Sequence, residues 1–297
     1  MGFWIAALTL GCAYVALAWG VYLSARVLRF ADITPDGSFT FGAAVAAALL
    51  VQDVHPLIAT ALAVGSGMLA GYVTGVLHTR LGVTDLLSGI LVMTGLYSVN
   101  LHVMGRSNLS LLSTATLATP LHRLFPATAS WSDDVTFGVI FLVVAVLLGA
   151  LLAWYLKTDF GIAMRSVGDN PATIDALGGD HRRDDRAQSR ARQRPGRPLG
   201  RADRPVSGVA DVSMGVGTLV AGMAAVILGE TLRVRGRSLV VTILMVAAGA
   251  LVFRLLVALA LRVGLNPIDL KLMTAVFVLG ALALPRLRRR TVAAAVR

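Results

Sequence analysis

The sequence has few of the residues that soluble proteins place on their surfaces. Only 14% of its 297 residues are charged, 56% are hydrophobic, and the mean hydropathy is +0.76. Soluble domains carry about 25% charged residues. A chain with so few cannot cover an apolar core with a charged surface, so the composition excludes an ordinary soluble protein and indicates a membrane protein.

Cysteine and lysine are almost absent. The single cysteine, Cys12, lies in an apolar run, so neither a disulfide within the chain nor a thiolate metal cluster can form. The histidines are scattered without the spacing of metal ligands. The only lysines are Lys157 and Lys271, and neither belongs to a G-x-x-x-x-G-K-[ST] loop. With no nucleophile elbow, zinc-binding helix pair or close carboxylate pair either, we expect no enzyme activity, no cofactor and no metal.

Acidic residues are outnumbered by basic ones. The formal net charge of +11 would suggest a nucleic-acid ligand in a soluble protein. In a membrane protein the cytoplasmic loops concentrate Lys and Arg, so the same charge predicts orientation in the lipid bilayer and no nucleic-acid partner.

Long apolar runs are abundant, and they predict an all-α, polytopic bundle of about 8–9 membrane segments, some broken or re-entrant. Each full span needs about 20 apolar residues. The predicted full spans are Trp4–Ala25, Pro56–Leu77, Leu86–Met104, Val135–Leu156, Val212–Leu232 and Ser238–Leu261, and the shorter ones are Phe39–Val51 and Leu272–Pro285.

The basic residues predict the orientation of these spans. The C-terminal arginines and the Arg233–Arg237 cluster should be cytoplasmic, which puts Asp211 outside when one span is counted per apolar run. The same rule makes the Lys157–Gly178 loop cytoplasmic. The two results agree only if Asp180–Ser207 crosses the membrane.

As written, Asp180–Ser207 cannot cross. Its 28 residues include nine Arg, four acidic residues and three Pro, and each charge at a helix centre costs about 2.5–3.5 kcal/mol on insertion. One interpretation is a disordered basic cytoplasmic loop. The other is a local double frameshift in a GC-rich gene. If the reading frame of Gly179–Ser207 is shifted by one base, and the third base of each codon is chosen freely, the segment can encode an apolar sequence. We expect this anomalous segment to replace a membrane helix.

The segment before it, KTDFGIAMRSVGDNPATIDALG at 157–178, is a compact polar loop between two spans. Phe160–Val167 should form a helical turn or two that Gly168 ends, and Asn170-Pro171 should start another helix. The segment resembles the cytoplasmic coupling segment of bacterial ABC importer permeases of the branched-chain amino acid and ribose type, which docks on the ATPase. The matching residues are Thr158, Gly161, Arg165, Gly168, Asn170, Pro171 and Gly178.

Three further segments, Leu28–Leu50, Leu86–Leu112 and Ala210–Glu230, look like the subgroup described as uncharacterised or putative tryptophan/tyrosine transport permeases. The resemblance covers the chain except Asp180–Ser207, where the family has a hydrophobic helix. It implies one permease domain over residues 1–297 in the bacterial cytoplasmic (inner) membrane, with the C-terminus cytoplasmic. It also implies a permease homodimer, a separate ABC ATPase subunit that binds the ATP, and an extracytoplasmic substrate-binding protein.

Polar residues inside apolar runs are costly and are therefore candidates for the translocation path. An internal pattern, D-x-S-x-x-x-G, occurs at Asp36–Gly42 and Asp211–Gly217 and opens two apolar helices that should run in opposite directions. Each candidate also has a structural interpretation: capping for Asp36 and Asp211, or an ion pair of Glu230 with Arg254. The candidates are Asp32, Thr34, Asp36, Ser38, Tyr97, Asn100, Asp211, Ser213 and Glu230.

The sequence thus predicts the permease of an ABC importer that moves a small, amino acid-like solute by alternating access. The alternatives are an autonomous secondary transporter, which would need coupling-ion carboxylates and no partner, and a polytopic membrane enzyme. Neighbouring genes for an ATPase and a secreted binding protein would favour the importer.

Overall fold

The computed structural model describes residues 2–30, 32–111, 133–169, 209–232, 238–266 and 269–280. This part of the chain is largely α-helical, with one π-helical segment, Leu23–Val27, and two strands, β1 (Asn108–Ser110) and β2 (Val209–Asp211). The helices are α1 (Gly2–Tyr22), α2 (Thr34–Val51), α3 (Pro56–Leu81), α4 (Asp85–Met104), α5 (Asp133–Lys157), α6 (Asp159–Asp169), α7 (Thr218–Leu232), α8 (Leu239–Arg262) and α9 (Leu270–Gly280).

Six helical stretches in the described residues are long and apolar enough to cross a membrane. The prediction of an all-α polytopic membrane protein is confirmed. The stretches are Phe3–Val27, Thr34–Val51, Pro56–Leu81, Asp85–Met104, Val135–Lys157 and Leu239–Arg262.

The short apolar run Phe39–Val51 gains flanking residues at its start, because Pro35 in the first turn of α2 fixes a helical φ and needs no donor there. One predicted boundary was wrong. The full span predicted over Val212–Leu232 is instead a turn at 212–217 followed by α7, only 15 residues long. Gly217 at φ +93° ends this turn in a conformation that other residues rarely adopt.

The chain divides into two compact units. The first comprises Met1–Tyr22, Gly138–Ala153 and Leu219–Arg297, and the second comprises Leu23–Phe137 and Trp154–Thr218.

In the first unit, α1 and α8 pack antiparallel. Arg262 at the end of α8 lies over the ring of Trp4 at 5.4 Å, and Trp19 near the end of α1 donates from Nε1 to the carbonyl oxygen of Ile243 at 2.9 Å. Between them, a Cβ on Gly11 would meet Leu251 Cδ2 at 2.8 Å. The glycine allows the two helices to approach closely at mid-length.

Helices α7 and α8 are also in backbone contact in this unit. A Cβ on Gly229 would meet the Cα of Val246 at 2.8 Å, and one on Gly249 would meet the Cα of Gly229 at 2.9 Å. One turn farther along each helix from this contact, Ala224 of α7 and Phe253 of α8 belong to an apolar cluster that includes residues of α9. Because Gly229 and Gly249 have no side chains, the two helix backbones touch where the helices cross.

In the second unit, α2 and α4 run in the same direction. A Cβ on Gly89 would meet the backbone of Thr34 at 3.3 Å, and one on Gly37 would meet Met93 Cα at 2.9 Å. Helix α3 runs back alongside α2, and its Thr74 shares a 2.8 Å hydrogen bond between Oγ1 atoms with Thr34.

The Met104 end of this three-helix layer carries the two strands. They pair antiparallel, with Leu109 opposite Ala210. Both residues are buried in one apolar cluster with Met104, Leu50 and Ala59. This cluster fixes β2 beside the end of α2, and the turn that follows β2 leads back toward the first half of α2.

The opposite end of the layer, near Asp85, carries α6. The rings of Phe30 and His78 make an edge contact at 5.4 Å between centroids, and His78 Nδ1 lies 3.0 Å from Asp85 Oδ1. The π-helical segment lies just before Phe30 in the chain, and α6 contacts it. The 20 residues of α4 separate the two ends by about 30 Å at about 1.5 Å per residue. The chain therefore leaves α6 at one end and re-enters the described structure in β2 at the other.

Candidate functional site

The start of α2 meets the turn before α7, and we call Asp36, Thr40, Gly215, Gly217 and Thr218 the junction. The Asp36 carboxylate accepts two hydrogen bonds there. Oδ2 lies 2.9 Å from the backbone nitrogen of Gly217, and Oδ1 lies 2.9 Å from Thr218 Oγ1. Asp36 is only 8% exposed.

These contacts decide the structural role of Asp36. Asp36 was predicted either to cap its own helix or to line the path. It does not cap α2, whose N-cap position is Ile33 without a side-chain hydrogen bond. It instead caps α7, because the start of a helix presents unpaired N–H groups and a partial positive charge that a carboxylate stabilises.

A second pair of contacts closes the junction. Thr40 Oγ1 accepts from the backbone nitrogen of Gly215 at 3.0 Å and donates to the carbonyl oxygen of Asp36 at 3.1 Å. A Cβ on Gly215 would collide with that carbonyl oxygen and with Thr40 Oγ1. Gly215 is therefore required for the turn to lie against α2.

The residues around the junction have related local structures. Asp32 Oδ1 accepts from the backbone nitrogen of Thr34 at 2.8 Å, and Asp211 Oδ1 accepts from the backbone nitrogen of Ser213 at 2.7 Å and from its hydroxyl. Both are Asx turns, which lead the chain into a helix. Asp211 thus has a local turn role, and Ser213 is its partner.

The two D-x-S-x-x-x-G segments meet at this point. The first begins with Asp36, and the second ends with Gly217, which donates to Asp36. The aspartates at the matching positions differ in their partners, since Asp211 bonds within its own turn. The two copies of the predicted repeat therefore contact each other, but the residues at matching positions have different roles.

The other predicted path residues have different surroundings. Thr34 joins α2 to α3 through Thr74, and Ser38 donates to the carbonyl oxygen of Pro35 at 3.5 Å. Tyr97 lies on the outward face of α4 and is 52% exposed. Glu230 belongs to α7, in the first unit.

Asn100 has a buried polar atom that lacks a hydrogen bond within the described residues. It is 1% exposed, and its Oδ1 is buried without a hydrogen-bond partner among the described residues. It lies on the α4 face of Leu96 and Met104, which contact α2. Its amide oxygen therefore makes no hydrogen bond to a neighbouring helix within the described residues.

The predicted coupling segment forms α6. Thr158 Oγ1 accepts from the backbone nitrogen of Gly161 at 3.3 Å and donates to the carbonyl oxygen of Tyr155 at 2.6 Å. It therefore caps α6 and ties its start to the end of α5. A Cβ on Gly161 would meet Leu156 Cα at 2.6 Å, so the sharp bend between the two helices needs glycine.

The rest of this segment differs partly from the prediction. Gly168 does not end the helix, which continues to Asp169, because a glycine inside a helix is only weakly unfavourable. The Arg165 side chain folds back, with Nε 3.4 Å from the carbonyl oxygen of Gly161. Asn170, Pro171 and Gly178 lie outside the described residues, as does Asp180–Ser207.

Helix α6 has two distinct faces. Gly161 and Met164 are buried, on the side of the protein. Phe160 and Ile162 are 39% and 49% exposed, so two large apolar side chains are presented outward by a short polar helix. In the π-helical segment that α6 contacts, Ser24 and Val27 are buried.

No metal site accompanies these features. Within the described ranges, no group of His, Cys, Asp or Glu could hold a metal ion.

Comparison with known proteins identifies the family. Residues 3–183 match the model of the branched-chain amino acid transport system / permease component family. The chain belongs to this family. It is 33% identical over 275 residues, which are 90% of this chain and 86% of the relative, to a tyrosine transport system permease protein of Clostridioides difficile.

Two further relatives extend the comparison. An uncharacterized protein of Rickettsia prowazekii is 28% identical over 92% of this permease and 94% of its own length. A nucleoside ABC transporter permease protein of Lactococcus lactis is 32% identical over 50% of this permease and 42% of its own length. No solved structure matches the chain significantly.

The match to the family model stops at residue 183, inside the arginine-rich segment Asp180–Ser207.

Sequence reasoning missed Thr40, Gly215 and Thr218 of the junction. Thr218 follows the repeated motif by one residue, which was a usable signal. Thr40 and Gly215 act through a close approach of backbone atoms that no spacing rule predicts. The π-helical segment was missed as well, because its five residues read as the end of an ordinary span.

Proposed function

We propose that this permease is the membrane subunit of an ATP-binding cassette importer. A separate ATPase docks on α6 and drives alternating access through the junction. The observation that carries the proposal is the position of α6, which contacts the π-helical segment and exposes Phe160 and Ile162 at the two edges of its outward side.

The exposed face of α6 is suited to binding another protein. Phe160 and Ile162 offer an apolar contact, and the helix carries Asp159 and Arg165 besides, so it is too polar to lie in lipid. Apolar residues that a soluble-facing helix leaves exposed mark protein contact sites. The resemblance of this segment to coupling segments makes the ATPase its expected partner.

A continuous set of contacts leads from α6 to the junction. Helix α6 contacts Leu23–Val27, and three residues later Phe30 contacts the ring of His78, which pairs with Asp85. The start of α4 continues to Gly89, which lies against the backbone of Ile33 and Thr34. A movement of α6 therefore has a packed route to the first turn of α2, where Asp36 lies.

The junction is the proposed gate of the translocation path. Two helices begin there within the membrane-spanning layer, and helices broken in this way surround substrate sites in transporters. The path candidates Asp32, Thr34, Asp36, Ser38, Asp211 and Ser213 lie in or beside it. Tyr97, Asn100 and Glu230 are path candidates farther from it.

The relatives support a class of substrate, and the resemblance to ABC importer permeases supports the remaining partners. The tyrosine permease relative covers most of the chain, so the proposed solute is an amino acid with an aromatic side chain, ahead of a nucleoside. An extracytoplasmic binding protein would deliver it to a permease homodimer in the bacterial cytoplasmic membrane, with α6 and the C-terminus on the cytoplasmic side.

The test uses Ile162→Glu, with Gln52→Glu, just after the end of α2, as the control. Both side chains are exposed, so neither change should affect membrane insertion. We expect Ile162→Glu to abolish ATP-dependent uptake of labelled L-tyrosine and co-purification of the ATPase, and Gln52→Glu to retain at least half of each. ATP-independent uptake by the permease without an ATPase would overturn the proposal and identify a secondary transporter.

A further inference from the structure

Arg254 is a cation in the middle of an apolar span. It lies in α8, which contains no other charged residue before Arg262 at its end. It is about 5 Å along the axis from the midpoint of that helix, at about 1.5 Å per residue. Charged residues at such depth are rare and mark ligand paths or ion pairs.

The surroundings of Arg254 stabilise the charge only in part. The guanidinium carbon lies 3.3 Å from the ring centroid of Tyr14 on α1, a cation–π contact. The Nε atom is buried and has no hydrogen-bond partner among the described residues. An arginine has five N–H donors, and a ring face satisfies none of them as an acceptor would.

An ion pair with Glu230 was one expectation from the sequence. The first unit contains two carboxylates, Glu230 and Asp269. Gly229, next to Glu230, lies against Val246, eight residues before Arg254 and about 12 Å from it along α8. Asp269 follows the end of α8. Neither carboxylate of this unit is level with Arg254.

A lipid headgroup is equally out of reach. Arg254 is eight residues from the end of α8, about 12 Å along the axis. The residue is half-buried, so part of its side chain remains accessible. The accessible part excludes the buried Nε, so an anion that enters the protein would meet the terminal Nη groups.

We infer that Arg254 binds the carboxylate group of the transported solute. The two terminal Nη groups form the end-on edge of the guanidinium, which a carboxylate takes with two parallel hydrogen bonds. Tyr14 holds the plane of the guanidinium in place beside α1. This inference rests on the proposed function for its substrate, an amino acid that carries a free carboxylate.

The first experiment measures binding without transport. The purified full-length permease is heated with L-tyrosine or with L-tyrosinamide, which keeps the ring and the amine but lacks the negative charge. L-Tyrosine should raise the midpoint of thermal unfolding, and L-tyrosinamide should not. Arg254→Gln should abolish this difference and Arg254→Lys should keep part of it, since lysine retains the charge without the fork.

The second experiment measures uptake with the partner proteins present. Arg254→Gln should raise the KM for L-tyrosine by about 10-fold or more while the maximal rate changes by less than about twofold, as expected for a lost hydrogen bond to a charged group. Arg262→Gln is the matched control, because Arg262 also lies over an aromatic ring on α1, and it should keep the wild-type KM.

The outcomes separate the two proposals. Absence of ATP-dependent uptake by the wild type would overturn the importer assignment, and the thermal experiment would still decide the carboxylate site. Equal stabilisation by L-tyrosine and L-tyrosinamide, or by L-tyrosine in wild type and Arg254→Gln, would overturn the site. So would lower yields of both Arg254 variants with an unchanged KM, which would make Arg254 a packing partner of Tyr14 alone.

Discussion

The carboxylate of Asp36 accepts a 2.9 Å hydrogen bond from the backbone nitrogen of Gly217, 181 residues later in the chain. The bond joins the first turn of one membrane helix to the start of another. Because both partners are held by backbone geometry, the carboxylate has little freedom to move without releasing α7.

Replacing Asp36 by Asn should weaken the junction. The amide oxygen can still accept from the backbone nitrogen of Gly217, and the N–H₂ group can donate to Thr218 Oγ1, because a hydroxyl also accepts. The change therefore mainly removes the negative charge at the start of α7, and we expect the free energy of unfolding to fall by about 1 kcal/mol and uptake to fall with it. Asp53→Asn is the control, because Asp53 is exposed in the turn after α2 and asparagine tolerates its φ of +57°. Equal, mild effects of both variants would show that the junction does not depend on the charge of Asp36.

Gly215→Ala should separate the turn from α2. The added methyl group has no space beside the Asp36 carbonyl oxygen, and overpacking of this kind costs about 1–3 kcal/mol. Gly71→Ala in α3 has no neighbouring atom within 4 Å and should be neutral or slightly stabilising. Thermal unfolding of the two variants in the same detergent measures the difference, and a wild-type midpoint for Gly215→Ala would contradict the observed contact.

Thr158 provides a test of the α5–α6 connection. Thr158→Val removes the hydroxyl that caps α6 and should cost about 1 kcal/mol locally. Uptake should fall while the amount of protein in the membrane stays the same, because α5 is unchanged. Thr158→Ser keeps the hydroxyl and should retain uptake. A loss in both variants would mean that the methyl group, and not the cap, matters.

Asn100→Leu should have opposite effects on stability and uptake. Removing a buried amide oxygen that has no partner should raise the free energy of unfolding by about 1 kcal/mol. Uptake should fall if the amide is needed in another state of the transport cycle. Measured together, higher stability with unchanged uptake would remove Asn100 from the path.

The Asp180–Ser207 segment should prove to be a shifted frame. Helix α6 and strand β2 lie at opposite ends of the α2–α4 layer, so the intervening chain has to pass from one end to the other. Nine arginines in that interval are incompatible with a crossing. Resequencing should recover a Leu- and Ala-rich helix, and a C-terminal reporter should be cytoplasmic. An unchanged frame with an external C-terminus would contradict this.

Much of the architecture followed from hydropathy, because lipid forces helical backbone hydrogen bonding on any long apolar run. That rule located α1, α3, α4, α5 and α8 within a few residues. It failed at Val212–Leu232, where the apolar side chains are compatible with a helix but Gly217 adopts φ +93°. Apolarity alone does not distinguish a full span from a turn that leads into a shorter helix.

The candidate site was predictable to a smaller extent. Asp36 was selected because a carboxylate is costly in an apolar run, and the structure accounts for it by a distant partner. Its partners, Gly217 and Thr218, could not be assigned because their contact depends on how a turn packs against a helix from elsewhere in the chain. Gly161 was selected by resemblance, and the structure supplies its physical reason in the tight bend after α5.

The π-helical segment at Leu23–Val27 affects how a movement of α6 would reach the start of α2. A π turn holds one residue more than the α-helical turn it replaces, and each residue contributes about 1.5 Å of α-helical rise. If these five residues reverted to α-helix, that surplus residue would pass into the loop ahead of α2 and turn Ser24 and Val27 away from their present neighbours. A change between the two forms would therefore shift the chain that enters α2 by one residue, or about 1.5 Å of helical rise.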